Sequence, residues 1–225
     1  MNAFLVSQLL GVAVVLAWLA IVLATALLIR RWRPDQREWS RKVVHIGTGP
    51  VVVLAWWLNI NRWVALPAAV LVTLATALNH RYRLLPAVED VGRHSYGTIA
   101  YGASIAILLG LFWPHHPNTV AAGVLVMAVG DGLAGLLGPQ LTSPRWRVFG
   151  QGKSLAGTLA MDGGSSVVLV SVALASAGHQ LQAPTLPCLL LIGCLATALE
   201  QCSCYGIDNL TVPIITGLLW QHWSL

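Results

Sequence analysis

From Ala3 to Ile29 the chain carries no Asp, Glu, Lys or Arg. A helix rising about 1.5 Å per residue crosses the roughly 30 Å hydrocarbon core of a bilayer with about 20 apolar residues. Seven further apolar segments follow, at Val43–Leu58, Trp63–Leu78, Tyr96–Trp113, Thr119–Leu137, Leu155–Ala177, Pro184–Leu199 and Leu210–Trp223. The last is short for a span and is expected to lie tilted, re-entrant or interfacial. Only 9% of the 225 residues are charged, against 56% hydrophobic, where a soluble domain carries about 25% charged residues. Eight acidic and thirteen basic side chains cannot clothe a soluble globule of this size. A soluble enzyme, a disordered chain, a collagen-like repeat and a disulfide scaffold are thereby excluded. Helices satisfy their own backbone groups in lipid, so the expected fold is all-α. It is a polytopic transmembrane helix bundle of about eight spans, seven plus one short or re-entrant, forming one domain over residues 1–225. The first segment has no basic leader and exceeds a signal-peptide core, so it reads as a retained span.

Charge then sets the orientation. Placing the N-terminus on the non-cytoplasmic side puts segments 30–42, 79–95, 139–154 and 201–209 in the cytoplasm. These hold Arg30, Arg31, Arg33, Arg37, Arg41, Lys42, Arg81, Arg83, Arg93, Arg145, Arg147 and Lys153, and only Arg62 remains opposite. Twelve of thirteen basic residues on one side is the positive-inside pattern. It also argues against nucleic acid as a partner, since these charges serve orientation and headgroup contact. The ten tryptophans (Trp18, Trp32, Trp39, Trp56, Trp57, Trp63, Trp113, Trp146, Trp220 and Trp223) fall mostly near span ends, as interfacial anchors do. Cys188 and Cys194 lie in an apolar run, and Cys202 and Cys204 lack the spacing and the second pair of a zinc or redox site.

Ionisable groups at membrane depth are costly and mark sites. Asp131, Glu200 and Asp208 fall at the cytoplasmic ends of their segments, as do Lys42, His45 and Lys153, while Asp162 lies deeper. Gly132, Gly135 and Gly138 recur every three residues and bare one helix face. Two readings stand: close helix packing, or phosphate oxygens approaching the backbone. Asp131 favours the second, because a packing seam has no use for a carboxylate. Arg145 and Arg147 follow, then Gly150-Gln151-Gly152-Lys153-Ser154. That run is expected to open the next helix, offering N-terminal amides, an ammonium and a hydroxyl to a phosphate. It is not a Walker A loop, because Arg147 stands where the first glycine of that motif belongs and no strand is expected before it. Glu38, Arg41, Lys42 and His45 stand together at a helix start as a second cluster, to which a solvated interfacial face with a Glu38–Lys42 pair is the alternative. Gly206 should break the helix after Glu200, leaving Asp208 and Asn209 as an N-cap or as oxygen ligands for a cation.

At these residues the chain resembles the phytol kinase and dolichol kinase family of membrane-bound, CTP-using lipid-alcohol kinases, most nearly its phytol kinase branch. The resemblance rests on Glu38-Trp39-Ser40-Arg41-Lys42-Val43-Val44-His45-Ile46 and on Gly130–Gly138 continued by Lys153-Ser154-Leu155-Ala156-Gly157-Thr158. It rests also on Ser95-Tyr96-Gly97-Thr98 and on Glu200 with Asp208-Asn209-Leu210-Thr211-Val212-Pro213. It implies transfer of the γ-phosphate of CTP to the hydroxyl of a long-chain isoprenoid alcohol at the cytoplasmic face, in a plasma or thylakoid membrane if the cell is photosynthetic. Phosphoryl transfer asks mainly for positioning and neutralised charge.

On that reading Asp131, Glu200 and Asp208 are the candidate Mg²⁺ ligands. Lys153, Gly152 and Ser154 would hold phosphates with Arg145 and Arg147, and Gly132, Gly135, Gly138, Gly150, Gly157 and Thr158 would complete the nucleotide site. Lys42 and His45 join the catalytic set, with His45 or an aspartate as base. Ala156 stands where many relatives carry an acidic residue, and Asp162 is an acid the resemblance does not account for. Two other classes compete. A CDP-lipid-forming cytidylyltransferase would use a similar Asp/Gly/Lys face, and a transporter would hold its ionisable groups near mid-membrane. A dolichol or diacylglycerol kinase differs only in the alcohol.

Overall fold

The computed structural model describes residues 2–35, 37–82 and 96–224. Helices α1 (Ala3–Trp32), α2 (Arg37–Thr48), α3 (Pro50–Trp57), α4 (Arg62–Tyr82) and α5 (Gly97–Phe112) form the first half. Then come α6 (Pro117–Leu125), a π-helical turn (Val126–Asp131) and α7 (Gly132–Gln140), which run on as one rod. Strands β1 (Arg145–Val148) and β2 (Gln151–Ser154) precede α8 (Leu155–Gly178), α9 (Leu186–Gln201) and α10 (Asp208–Trp223). Among the described residues the chain is thus all-α apart from one hairpin, a helical bundle of the kind that spans membranes. Most of the helices begin and end within a few residues of the apolar segments.

The segment Val43–Leu58 departs from that rule, dividing into α2 and α3 at Gly49-Pro50. Pro50 has no amide to continue the ladder. A Cβ on Gly49 would stand 2.6 Å from the Ala128 Cβ, so the joint presses directly against the π-helical turn. The rod through 117–140 is the centre of the bundle, and every residue of Pro117–Val124 is buried. Around it Leu108, Met161, Leu169, Ile192, Val212 and Trp220 are fully enclosed. The outside is the reverse: Leu10, Ile21, Leu71, Leu74, Val167 and Leu174 are exposed, an apolar coat suited to lipid and not to water. By length and apolarity Ala3–Trp32, Arg62–Tyr82, Pro117–Gln140 and Leu155–Gly178 are long enough to cross a membrane, and α5 and α9 are shorter apolar helices.

Not every tryptophan is an interfacial anchor. Trp56, Trp113 and Trp220 are buried in the core, where an indole supplies volume. The Trp113 Nε1 donates to the Ile60 carbonyl at 2.9 Å. That bond marks one end of the bundle, where the Gln8 Nε2 donates to the Asn59 carbonyl at 3.1 Å and an Arg62 guanidinium nitrogen donates to the Gly110 carbonyl at 2.6 Å.

The opposite end carries the hairpin. β1 and β2 pair antiparallel, with Arg145 opposite Ser154, Trp146 opposite Lys153 and Arg147 opposite Gly152. Phe149 and Gly150 form the turn with φ of 47° and 78°, the left-handed pair of a type I′ turn. The sequence reading puts a helix start at 150–154 and no strand before it. The structure instead gives Gln151–Ser154 to a strand and begins α8 at Leu155, because this turn folds the chain back on itself.

Candidate active site

An open cleft of about 960 Å³ lies at the hairpin end, bounded by α2, α7, the hairpin, the start of α8 and the α9–α10 connection. Three carboxylates from distant parts of the chain meet in it. Asp131 ends the π-helical turn, Glu200 lies in the last turn of α9, and Asp208 opens α10. One oxygen from each lies within 4.8 Å of the others. A π-helical turn is a costly departure that recurs at functional sites, and here it delivers Asp131. Gly206, at φ 84°, turns the chain so that Asp208 returns to the cleft. Asp208 is the first residue of α10 and Ile207 the cap position, so the N-cap reading of Asp208 does not hold.

Each lysine engages one carboxylate. The Lys42 Nζ donates to the Asp131 Oδ2 at 2.6 Å and to the Asp131 carbonyl at 3.0 Å. The Lys153 Nζ pairs with the Glu200 Oε1 and donates to the Glu200 carbonyl at 2.7 Å. The Gln201 Nε2 donates to the Glu200 Oε2 at 2.9 Å and to the Thr158 Oγ1 at 3.0 Å, tying α9 to α8. The solvated-face alternative with a Glu38–Lys42 pair does not hold, because Lys42 reaches across to Asp131 and Glu38 takes Arg41 at 2.9 Å. His45 stands behind Asp131, its Nε2 3.3 Å from the Oδ2 and 3.1 Å from the Met127 carbonyl. Both neighbours are acceptors, which places the ring proton on Nε2. Asp208 accepts from the Asn209 amide at 3.2 Å. Burial and the neighbouring Asp131 and Glu200 carboxylates push its carboxyl up to about 6. Such mutual repulsion is what a cation relieves.

The glycine face turns out to be a packing face with one chemical consequence. A Cβ on Gly132 would strike Ile46, and one on Gly138 would stand 3.3 Å from the Gly157 Cα. A Cβ on Gly135 would lie 2.6 Å from the Lys42 Nζ, so that glycine makes the room through which the lysine reaches Asp131. The first amides of α8 are already bonded. Leu155 N donates to the Pro144 carbonyl at 3.0 Å, Ala156 N to the Ser143 Oγ at 3.2 Å and Gly157 N to the Ser154 Oγ at 3.1 Å. The exposed helix amides expected for a phosphate are therefore not there, since Ser154 caps the helix and 143–144 fold over its start.

Of the sequence-derived residues, Lys42, Asp131, Lys153, Glu200 and Asp208 line the cleft, with Gly135, Gly138, Arg145, Arg147, Gly152, Ser154, Gly157 and Thr158. His45, Gly132 and Gly150 do not line it. Ser95, Arg83 and Arg93 lie outside the described residues. Asp162 sits half-buried on α8 outside the cleft, where a Cβ on Gly193 of α9 would lie 3.9 Å from its Oδ1. Gln201, Ser203, Trp146 and Tyr205 also line the cleft, and sequence reasoning assigned none of them to it. The Gln201 Oε1 and Ser203 Oγ are buried without a hydrogen-bond partner. Their only sequence signal is their place beside Glu200.

No family model and no solved structure matches the chain. The phytol kinase of Synechocystis sp. is 42% identical over 213 residues, which cover 93% of this chain and 89% of that protein. The chain belongs to the phytol kinase family. A probable phytol kinase 1, chloroplastic, of Glycine max is 28% identical over 199 residues, 80% of this chain and 65% of that protein. The span shared with the Synechocystis phytol kinase is long enough to include most of the bundle, so kinship with phytol kinases concerns the fold as a whole.

Proposed function

We propose that the chain is a membrane-embedded kinase of the phytol type, which moves the γ-phosphate of a nucleoside triphosphate, CTP by the family resemblance, to the hydroxyl of a long-chain isoprenoid alcohol. The observation that carries this reading is the meeting of Asp131, Glu200 and Asp208 with Lys42 and Lys153 in one open cleft. The family relation supports the choice of a lipid alcohol as acceptor.

Three all-oxygen side chains held close together fit Mg²⁺, which takes one or two protein carboxylates along with phosphate oxygens. When bound, the ion would neutralise phosphate charge. Asp131 and Glu200 are its proposed holders, each kept in place by its own lysine. Arg145 and Arg147 stand at the mouth of the cleft, where phosphates of an incoming nucleotide pass. His45 directs its Nε2 at two acceptors from behind Asp131 and so positions that carboxylate. Asp208, which has no lysine of its own among the described residues, is left to accept the alcohol proton. The apolar coat of the bundle lets the isoprenoid tail stay in the bilayer while its hydroxyl reaches the cleft.

Purified protein in lipid nanodiscs, given CTP labelled at the γ- or the α-phosphate and a panel of phytol, geranylgeraniol, farnesol, polyprenols and diacylglycerol, tests the reading. The expected product is an alkyl monophosphate carrying only the γ-label. An α-labelled lipid would make the protein a cytidylyltransferase instead.

A further inference from the structure

The kinase reading assigns residues to the metal and the phosphates and leaves the base of the nucleotide without a partner. Trp39 and Trp146 both stand on the wall of the cleft with equal exposure, and Trp146 is set apart by its place in the hairpin. It lies at the middle of β1, 39% exposed, on the wall of the cleft. It stands directly opposite Lys153 in the hairpin register. Directly opposed residues of an antiparallel pair project from the same face with Cβ atoms about 5 Å apart. Lys153 projects to Glu200 and the carboxylate cluster, so the indole stands on that same face. Arg145 and Arg147 flank it in sequence and line the same cleft. An aromatic plane one hairpin rung from the lysine that holds Glu200, and beside the carboxylates proposed for the metal, is the arrangement that holds a planar base while its phosphates reach inward.

We infer that the Trp146 indole is the platform on which the base of the nucleotide stacks, a role that rests on the kinase reading above. One face of the hairpin then serves both ends of the nucleotide, Lys153 by holding Glu200 at the inner end and Trp146 by stacking on the base at the outer. Stacking is tolerant of base identity because every base has a π-face, so Trp146 sets affinity for nucleotides in general and not the choice among them.

The test separates base from phosphate. Nucleotide KM, kcat and equilibrium nucleotide binding are measured for the wild type, Trp146→Ala and Trp146→Phe, with Trp63→Ala as a control at the far end of the bundle, where Trp63 is 83% exposed. The inhibition constant of inorganic tripolyphosphate, which has no base, is measured alongside. Trp146→Ala should raise nucleotide KM and the dissociation constant about tenfold, with kcat at saturation within about twofold and the tripolyphosphate constant unchanged. Trp146→Phe should recover most of the loss, and Trp63→Ala should match the wild type. Equal losses for nucleotide and tripolyphosphate, or none for either, would overturn the stacking role. A fall in membrane yield with unchanged constants would overturn it too and make Trp146 an interfacial anchor. If the wild type phosphorylated no alcohol, the kinase reading would fall, and equilibrium nucleotide binding would still decide the stacking.

Discussion

Asp131 does more than present an oxygen to the cleft. Its carboxylate accepts the Lys42 ammonium and stands within 3.3 Å of His45. The lysine side chain is only 6% exposed, so its charge has no water to fall back on. Removing one member of a buried pair leaves the other uncompensated, at a cost of about 3–5 kcal/mol. Asp131→Asn is therefore expected to abolish turnover and also to lower the thermal midpoint in detergent. The two losses have different origins. The double variant Lys42→Met with Asp131→Leu removes both charges together and should recover most of the midpoint while staying inactive. If Asp131→Asn kept the wild-type midpoint, the pair would hold no charge of consequence, and retained turnover would take Asp131 out of the chemistry.

Among the elements, α7 and the hairpin position the site without supplying its reactive atoms. Gly135 on α7 underlies the Lys42 side chain, and an added methyl would stand 2.6 Å from its Nζ. A flexible lysine can yield at small cost, but only by leaving Asp131. Gly135→Ala is expected to lower kcat at least tenfold, with a smaller fall in thermal midpoint than Asp131→Asn. An unchanged kcat would show that the ammonium need not sit where it does. The hairpin turns on Gly150 at φ 78°, and a Cβ there would meet nothing within 4 Å. The cost of a side chain at Gly150 is therefore purely backbone, about 1–2 kcal/mol for an ordinary residue in the left-handed region. Gly150→Val should distort the turn, shift Trp146 and Lys153 together and raise nucleotide KM severalfold. Gly150→Asn, which tolerates that conformation, should stay near the wild type. Equal constants for the two variants would mean the turn does not govern the site.

At the scale of the whole chain, the helices were legible because lipid leaves few other ways to satisfy a backbone, and runs such as Leu155–Ala177 announce their own bounds. The meeting of the three acids was legible as a shared side and not as a set of distances. The partners were not legible, since Lys42 and Asp131 are 89 residues apart and Lys153 and Glu200 are 47 apart. Nor was the hairpin, whose four-residue strands carry no period long enough to read. The fold turns the charge count into a spatial statement. Lys42, Arg145, Arg147 and Lys153 gather about the cleft, while Arg62 is bonded to Gly110 at the other end with the start of α1. On the positive-inside tendency we propose that the cleft faces the cytoplasm, where nucleoside triphosphates are found, with position 2 on the opposite side. In a variant whose four cysteines are replaced, Asn2→Cys should react with a membrane-impermeant maleimide on intact cells. Cysteine restored at 202, beside the cleft, should react only after the cells are opened. Reaction of position 2 only in opened cells would invert the bundle. The cleft would then face away from the nucleotide pool, and the kinase assignment would lose its donor.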